Sequence, residues 1–435
     1  MLLIVYAIEW SIWGNWAPGY HLVNTLIHIL NAILLFLLLT RISKNFFFRF
    51  FPSLIFLIHP LQTEAVTYVS GLGDSLSFFY ILLGIMLYMR WLENSKEKRG
   101  IFFYFGTLFL FIVTLLTKER GIIFPAYLLL IELWYWYKEK TYFKNFLKKL
   151  SLSLLPFILI ACIFLLLRGT ILNFQNTFNI YNAETPYTTN ILVRTDTFLK
   201  ILPSYVGLYF FPKTLFMERS ETISYAQTIF DPSILVGICI TLIFILLSLF
   251  TIKNDPKYTF GTLFLFISFL PASGIIIPVA GIMYEHYMYT PIIGISIVLG
   301  TLLANFSEKF KNKKYLVIIL SIIVLWSIFL SARTISRNTE WRDPITLYTQ
   351  TLLHAPTSLR VWNNLGIAYS DKHEKAIDAY THAIQLDPQN PIPYHNLGNS
   401  YEALGDLKTA KEYWQIAVSL NPNFAPSQLK LEKHK

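Results

Sequence analysis

Cysteine and charge are the two features that this sequence has least of. Only two of its 435 residues are cysteines, Cys162 and Cys239, and both lie inside apolar runs, so we expect no disulfide framework. Charged residues make up 14% of the chain, well below the roughly 25% of a soluble domain. Hydrophobic residues make up 54%, and the mean hydropathy is +0.49. Composition therefore excludes an ordinary soluble protein and predicts an integral membrane protein.

Motifs for soluble nucleotides and for metals are missing as well. The sequence contains no GxxxxGKS or GxxxxGKT phosphate loop, no CxxC and no HExxH pattern. Neither a soluble activated donor nor a metal ion has a site that the sequence identifies, and the metal requirement stays open. The net charge of +10 does not indicate a nucleic-acid partner, because the lysines and arginines fall in loops between apolar runs.

Ten apolar runs span, or nearly span, the thickness of a bilayer, which takes about 20 helical residues. They are 20–40, 46–59, 74–92, 101–117, 121–137, 150–168, 232–252, 259–278, 285–305 and 314–333. Basic loops alternate with loops that are poor in lysine and arginine, so we predict that the basic loops face the cytoplasm. The turn at 59–74 and the loop 169–231 then lie on the opposite side. We interpret 198–216 as an interfacial or re-entrant segment, because counting it as a span would reverse this alternation.

The chain divides into three predicted parts. Residues 1–19 form a short apolar segment that carries Glu9, which we interpret as an interfacial helix or as the remainder of a longer segment. Residues 20–334 form a multi-pass domain of the plasma or inner membrane, and 335–435 form a repeat domain. The predicted fold class is all-α: a polytopic bundle of about ten spans followed by an α-solenoid.

The last hundred residues contain an internal repeat. The stretch WNNLG at 362–366 recurs as YHNLG at 394–398, and LDP at 386–388 recurs 34 positions later as LNP. This is the pattern of tetratricopeptide repeats, which fold as helical hairpins of about 34 residues and bind other proteins. Residues 341–356 resemble half of an earlier copy. We expect the repeats on the extracytoplasmic side, where they would bind a protein partner.

Polar residues on the first full span share one face. His21, Asn24, His28 and Asn31 fall within a stripe of about 80° at 100° per residue. One interpretation is hydrogen bonding between helices. The other is that the stripe lines a polar cavity at the outer surface, where His21, Asn24 and His28 would bind substrate.

The turn after the second apolar run carries the candidate catalytic residues. It reads HPLQTEAV at 59–66 and continues to Asp74. Ionisable groups at membrane depth are costly and normally face a cavity or a partner. Glu64 and Asp74 are therefore candidate general bases, while His59 could orient a carboxylate or bind an anion. The structural alternatives are a backbone partner at the turn for Glu64 and a helix cap for Asp74.

Two further outer turns carry ionisable residues. Lys118, Glu119 and Arg120 lie between two apolar runs, and Glu285 and His286 precede another. Lysine and arginine on the outer face run against the usual charge bias, which favours a bound phosphate. The alternative for Lys118, Glu119 and Arg120 is an exposed ion pair of little energetic consequence.

These elements occur in the same order in one known family. The chain resembles the transmembrane and tetratricopeptide-repeat O-mannosyltransferases and their bacterial relatives, within the GT-C class of membrane glycosyltransferases. HPLQTEAV at 59–66 is the most specific motif. The resemblance also covers YHLVN at 20–24, Lys118 with Glu119, Glu285 with Tyr287 and Tyr289, and the repeats.

The resemblance implies transfer of mannose or another hexose from a polyprenyl-phosphate donor to protein hydroxyls at the periplasmic or luminal face. Glu64, Asp74 and His59 would then serve catalysis, whereas Lys118, Arg120 and His286 would hold the lipid phosphate. The repeats would present the acceptor protein. Glu119 and Glu285 join the substrate-binding candidates.

The family pattern also implies a preceding span and an acidic first loop. Because the chain begins about 20 residues before the polar stripe, we expect both to be absent. His286 stands where relatives often carry arginine. The alternative hypothesis is a non-catalytic, membrane-anchored scaffold whose repeats recruit partners for envelope assembly.

Overall fold

The computed structural model describes residues 1–94, 97–140, 142–171, 185–279, 281–309 and 313–434. Every regular element in these ranges is helical, which confirms the predicted all-α class. Residues 172–184 of the predicted outer loop 169–231 lie outside the described residues. The chain divides into two compact units, one of residues 1–215 with 225–335 and the other of residues 216–224 with 336–435.

The first unit contains fourteen α-helices within its described residues, joined by short 3-10 turns. They are α1 (Leu2–Trp13), α2 (Ala17–Ile42), α3 (Phe46–Ile58), α4 (Thr63–Thr67), α5 (Leu72–Glu93), α6 (Gly100–Thr117), α7 (Phe124–Glu139), α8 (Phe143–Thr170), α9 (Pro186–Thr189), α10 (Ile191–Phe210), α11 (Pro232–Thr251), α12 (Lys257–Phe269), α13 (Pro291–Lys309) and α14 (Lys313–Glu340). The last of these helices continues into the second unit.

Among the described residues, seven helices are long and apolar enough to cross a membrane: α2, α5, α6, α8, α11, α13 and α14. The chain is therefore a multi-pass membrane protein. The predicted count of about ten is higher because three runs form shorter helices, α3 with 13 residues, α7 with 16 and α12 with 13. A helix needs about 20 residues to cross the hydrocarbon core perpendicularly.

The structure corrects two of the predicted run boundaries. The run 259–278 ends as a helix at Phe269, because Pro271 stands two residues later and a proline cannot continue the hydrogen-bond ladder. The run 285–305 becomes helical only at Pro291, which occupies the first helical turn. Residues 270–279 and 281–290 therefore form irregular and 3-10 backbone, and this backbone supplies part of the candidate site.

Close helix packing explains a glycine on α11. A Cβ atom built on Gly237 would lie 1.9 Å from the carbonyl oxygen of Leu199 on α10. Small residues at such crossings let two membrane helices approach closely, and van der Waals contact then stabilises the pair. This contact fixes α10 against the apolar helix α11.

The second unit has the architecture of tetratricopeptide repeats. Its helices are α15 (Pro344–Leu352), α16 (Leu359–Ala368), α17 (His373–Leu386), α18 (Pro391–Ala403), α19 (Leu407–Leu420) and α20 (Ala425–Lys433). The repeated glycines allow paired helices to pack on aromatic rings, since a Cβ on Gly366 would lie 2.4 Å from Tyr380 and one on Gly398 would lie 2.6 Å from Trp414. The predicted repeats are confirmed.

The second unit also contains a short segment from the loop after α10. Residues 216–224 pack within it, and the buried carboxylate of Glu218 pairs with Arg360 on α16. The ring of Phe216 stacks on His354 with centroids 5.1 Å apart. Sequence periodicity does not predict this contribution, because the segment carries no repeat motif.

We expect Gly237→Val to destabilise the membrane unit. The added side chain would meet the Leu199 backbone, and overpacking of this kind costs about 1–3 kcal/mol. Thermal unfolding in detergent would measure the loss. Gly207→Ala on α10 is the matched control, because a Cβ there meets nothing within 4 Å. Equal melting temperatures for the two variants would contradict the proposed helix contact.

Candidate functional site

A small polar cavity lies where α5, the end of α6 and the irregular backbone before α13 meet. Its volume is about 50 Å³, which leaves room for a few water molecules or one group the size of a phosphate. The ionisable residues that line it are Asp74, Lys118, Arg120 and His286. Sequence analysis selects all four, from three separate segments, and the fold brings them together.

The HPLQTEAV segment leads into α5 through two consecutive tight turns. Residues 60–62 form a 3-10 turn, and α4 follows directly. A Cβ on Gly71 would lie 2.6 Å from the carbonyl oxygen of Ala65, so only glycine allows the chain to pass α4 this closely. Helix α5 begins at Leu72, and Asp74 therefore lies in its first turn.

Asp74 forms ion pairs with both cations of the cavity. Its carboxylate lies 2.5 Å from Lys118 Nζ and 3.8 Å from Arg120 Nη1. Burial lowers the pKa of the Lys118 ammonium, and the Asp74 carboxylate opposes that shift. The Arg120 guanidinium lies 4.2 Å from the centre of the Tyr287 ring, which fixes its plane. Lys118 and Arg120 both line the cavity, so an anion that entered it would meet two cations.

Glu64 holds His286 at two points. One carboxylate oxygen lies 2.9 Å from His286 Nδ1, and the other accepts a 2.8 Å hydrogen bond from the His286 backbone N–H. The side chain of Glu64 is 8% exposed and that of His286 is 22% exposed. Glu64 therefore has the backbone partner that the structural alternative predicts, and its second contact is with a cavity residue.

His59 lies at the end of α3 with both ring nitrogens bonded to the backbone. Nδ1 accepts a 3.2 Å bond from the Leu61 N–H, and Nε2 donates a 2.8 Å bond to the Tyr209 carbonyl. The ring is completely buried, and burial lowers its pKa from 6.5 to about 4. His59 is therefore a neutral residue that fixes the start of the turn, and it does not line the cavity.

The polar stripe of α2 bonds to its neighbours. Asn24 donates to the carbonyls of Val66 and Tyr68 at 3.1 and 3.2 Å. His28 Nε2 meets the Leu57 carbonyl at 3.2 Å and must carry the hydrogen, so Nδ1 accepts from the Tyr289 hydroxyl at 3.0 Å. The structure thus contains the interhelical hydrogen bonds of the first interpretation. His21 is half-buried at the start of α2 and does not line the cavity.

Tyr289 is a buried residue of the site that enters the sequence analysis only through the family resemblance. Its hydroxyl accepts a 3.1 Å bond from Asn31, and its carbonyl accepts a 3.2 Å bond from Gln62. Its side chain also lines the cavity. An aromatic belt explains tyrosines near a membrane surface, so periodicity alone could not separate Tyr289 from its neighbours.

Besides His21, Asn24 and His28, the predicted substrate-binding residues Glu119 and Glu285 also lie outside the cavity lining. Glu119 is 55% exposed and pairs with Arg168 on α8, as the surface ion-pair alternative predicts. Glu285 is buried in the 3-10 turn that precedes α13. Within the described residues, no three His, Cys, Asp or Glu side chains come together in a group that could hold a metal ion.

We expect His59 to make the membrane unit sensitive to acid. Its pKa in the folded protein lies below the ordinary value of 6.5, so protonation favours the unfolded chain. The stability contribution is complete above pH 6.5 and is lost as the pH falls toward 4, by on the order of 3 kcal/mol. Thermal unfolding between pH 7.5 and 4 would measure it. His59→Gln should flatten this dependence, whereas His21→Gln should leave it unchanged; an unflattened slope in His59→Gln argues against the assignment.

Comparison with known proteins agrees with the motif resemblance. The chain is 26% identical to the human protein O-mannosyl-transferase TMTC3, over 94% of this chain and 47% of the relative. It is 28% identical to the protein O-mannosyl-transferase F38B6.6 of Caenorhabditis elegans, over 85% of this chain and 51% of the relative. The human protein O-mannosyl-transferase TMTC4 is 26% identical, over 86% and 55%. The chain spans about half the length of the curated relatives it matches.

Two family models match the repeat region. A TPR repeat model matches residues 370–405, and a tetratricopeptide repeat model matches residues 391–424. The membrane unit and the repeat unit together account for the similarity to the O-mannosyl-transferases, because each alignment covers most of this chain.

Proposed function

We propose that this chain is a membrane glycosyltransferase that transfers a hexose from a polyprenyl-phosphate donor to hydroxyl groups of proteins. The observation that carries the proposal is the cavity in which Lys118, Arg120 and His286 surround Asp74. Cations at a membrane-embedded cavity are expensive and normally serve a bound anion or a proton path. The similarity to protein O-mannosyl-transferases supports mannose as the sugar.

The phosphate of the donor would bind between Lys118 and Arg120. A lipid-linked donor fits because its chain would remain in the bilayer while its headgroup reaches the cavity. Arginine and lysine form the strongest hydrogen bonds to phosphate oxygens, and Arg120 is already oriented by the Tyr287 ring. The leaving phosphate gains negative charge during transfer, and these cations would stabilise it.

The repeat unit would hold the acceptor protein. Asn396 on α18 donates a 2.9 Å bond to Asn363 on α16, and His395 Nδ1 lies 2.9 Å from Ser427 on α20. Polar side chains therefore connect the first helices of successive repeats, and the partner-binding habit of such repeats supports this unit as the acceptor site. The charge alternation of the loops supports a periplasmic or luminal position for the repeats and the cavity.

Lys118→Met tests the donor site. Loss of a charged hydrogen bond costs about 1.5–3 kcal/mol, so KM for a polyprenyl-phosphate mannose should rise by roughly 10- to 100-fold. The assay uses the full chain in lipid nanodiscs with the donor, an acceptor protein and mass-spectrometric detection of the glycosylated hydroxyl.

The matched control is Lys200→Met. Lys200 forms a similar pair with Asp231 at 3.1 Å, but it does not line the cavity. Lys200→Met should therefore leave transfer unchanged. Equal effects of the two variants would contradict a phosphate site at Lys118, and absence of any transfer by the wild-type chain would favour the membrane-anchored scaffold instead.

A further inference from the structure

We infer that His286 accepts the proton of the attacking hydroxyl and that Glu64 positions and activates it. This inference rests on the proposed function, and it assigns that function's proton acceptor. It differs from the expectation that Glu64 itself is the base and that His286 binds phosphate.

The ring of His286 is held from three directions. Glu64 binds both its Nδ1 and the backbone N–H of the same residue, which fixes the side chain relative to its own main chain. The Tyr284 ring stacks on it with centroids 5.3 Å apart, and Tyr287 meets it edge-on at 4.8 Å. A proton acceptor needs such orientation, because misplacement of a reacting group by about 1 Å can cost on the order of 100-fold in rate.

The contact with Glu64 fixes the tautomer. An ionised carboxylate can only accept hydrogen bonds, so Nδ1 must carry the hydrogen. The neutral ring then presents the lone pair of Nε2, for which the described residues supply no hydrogen-bond partner. The same residue lines the cavity that contains the two cations. A carboxylate behind a histidine fixes the tautomer and orientation of the ring and offsets the charge that the ring gains when it accepts a proton.

The other predicted acid–base candidates already form ion pairs or hydrogen bonds with protein groups. Asp74 is paired with Lys118 and Arg120, which disfavours protonation of its carboxylate. Both oxygens of Glu64 contact His286, and both nitrogens of His59 are bonded to backbone groups. Among these candidates, His286 is the residue that lines the cavity and has a ring nitrogen with no hydrogen bond to the described residues.

The proposed transfer forms one bond at the anomeric carbon and breaks one. The acceptor hydroxyl gives its proton to His286 Nε2, while the oxygen lone pair forms the new bond to the anomeric carbon. The bond from that carbon to the phosphate oxygen breaks, and its electron pair leaves with the phosphate beside Lys118 and Arg120. The products are the glycosylated protein, polyprenyl phosphate and an imidazolium paired with Glu64, which then loses its proton to water.

Substitution at position 286 distinguishes a base from a phosphate ligand. Arginine keeps a positive charge but cannot accept a proton. If His286 is the base, His286→Arg and His286→Ala should both lower kcat by roughly 100- to 10,000-fold. The KM for the donor should stay nearly unchanged in His286→Arg. Near wild-type transfer by His286→Arg would overturn the inference and assign His286 to phosphate binding.

Chemical rescue excludes a purely structural explanation. Added imidazole should restore part of the activity of His286→Ala and none of the activity of Lys118→Met, because only the first variant lacks a base. If imidazole does not restore activity to a His286→Ala variant that folds correctly and binds the donor, the inference is wrong. Glu64→Gln should lower kcat but add little to the loss in His286→Ala, since the two residues act as one unit.

A measurement independent of transfer separates this inference from the proposed function. Diethyl pyrocarbonate reacts with the unprotonated imidazole nitrogen, and mass spectrometry resolves the modified residue. At pH 8, Glu64→Gln should slow modification of His286 several-fold, with modification of His21 as the internal reference. An unchanged rate would overturn the Glu64–His286 dyad, whereas a wild-type chain that transfers no sugar but shows this slowing would refute only the glycosyltransferase function.

Discussion

The candidate site depends on one carboxylate that joins two segments separated by 222 residues in sequence. Glu64 lies on the five-residue helix α4, which is too short to be stable alone. Its two oxygens bind the turn before α13, and this turn carries His286 and Tyr287 into the cavity. Asn24 and Gln62 also bond to this short helix and to the backbone before α13, but Glu64 is the residue that binds the imidazole itself. Loss of this contact would release the orientation of the His286 ring.

Charge balance imposes a second constraint on the same place. Asp74 makes burial of Lys118 and Arg120 tolerable, since an unpaired buried cation would cost several kcal/mol. The pairing keeps both cations in place before any substrate binds, so they need little rearrangement to meet a phosphate. The same pairing weakens Asp74 as a base. One residue cannot easily serve as counter-ion for two cations and also exchange a proton.

Sequence patterns predict which residues belong to this site better than they predict which of those residues contact one another. Hydropathy identifies the apolar helices, and the rarity of ionisable groups at membrane depth selects Glu64, Asp74, Lys118, Arg120 and His286. The pairing of Glu64 with His286 has no local signal, because it depends on how α4 packs against a distant turn. Likewise, HPLQTEAV marks His59 as unusual but cannot reveal that both ring nitrogens bind backbone. The lengths of the apolar runs overestimate the lengths of the helices where a proline ends a helix early, as Pro271 does after α12.

A histidine at position 286 changes what the cavity can do in comparison with a permanent cation. Lys118 and Arg120 already supply positive charge for a phosphate, both before transfer and as the leaving phosphate gains negative charge. A neutral imidazole becomes charged only as the acceptor attacks, so its interaction with Glu64 strengthens at that moment. The stabilisation then belongs to the transition state alone. The fixed cations thus serve the leaving phosphate, and the titratable histidine serves the acceptor. These two roles are complementary within one small cavity.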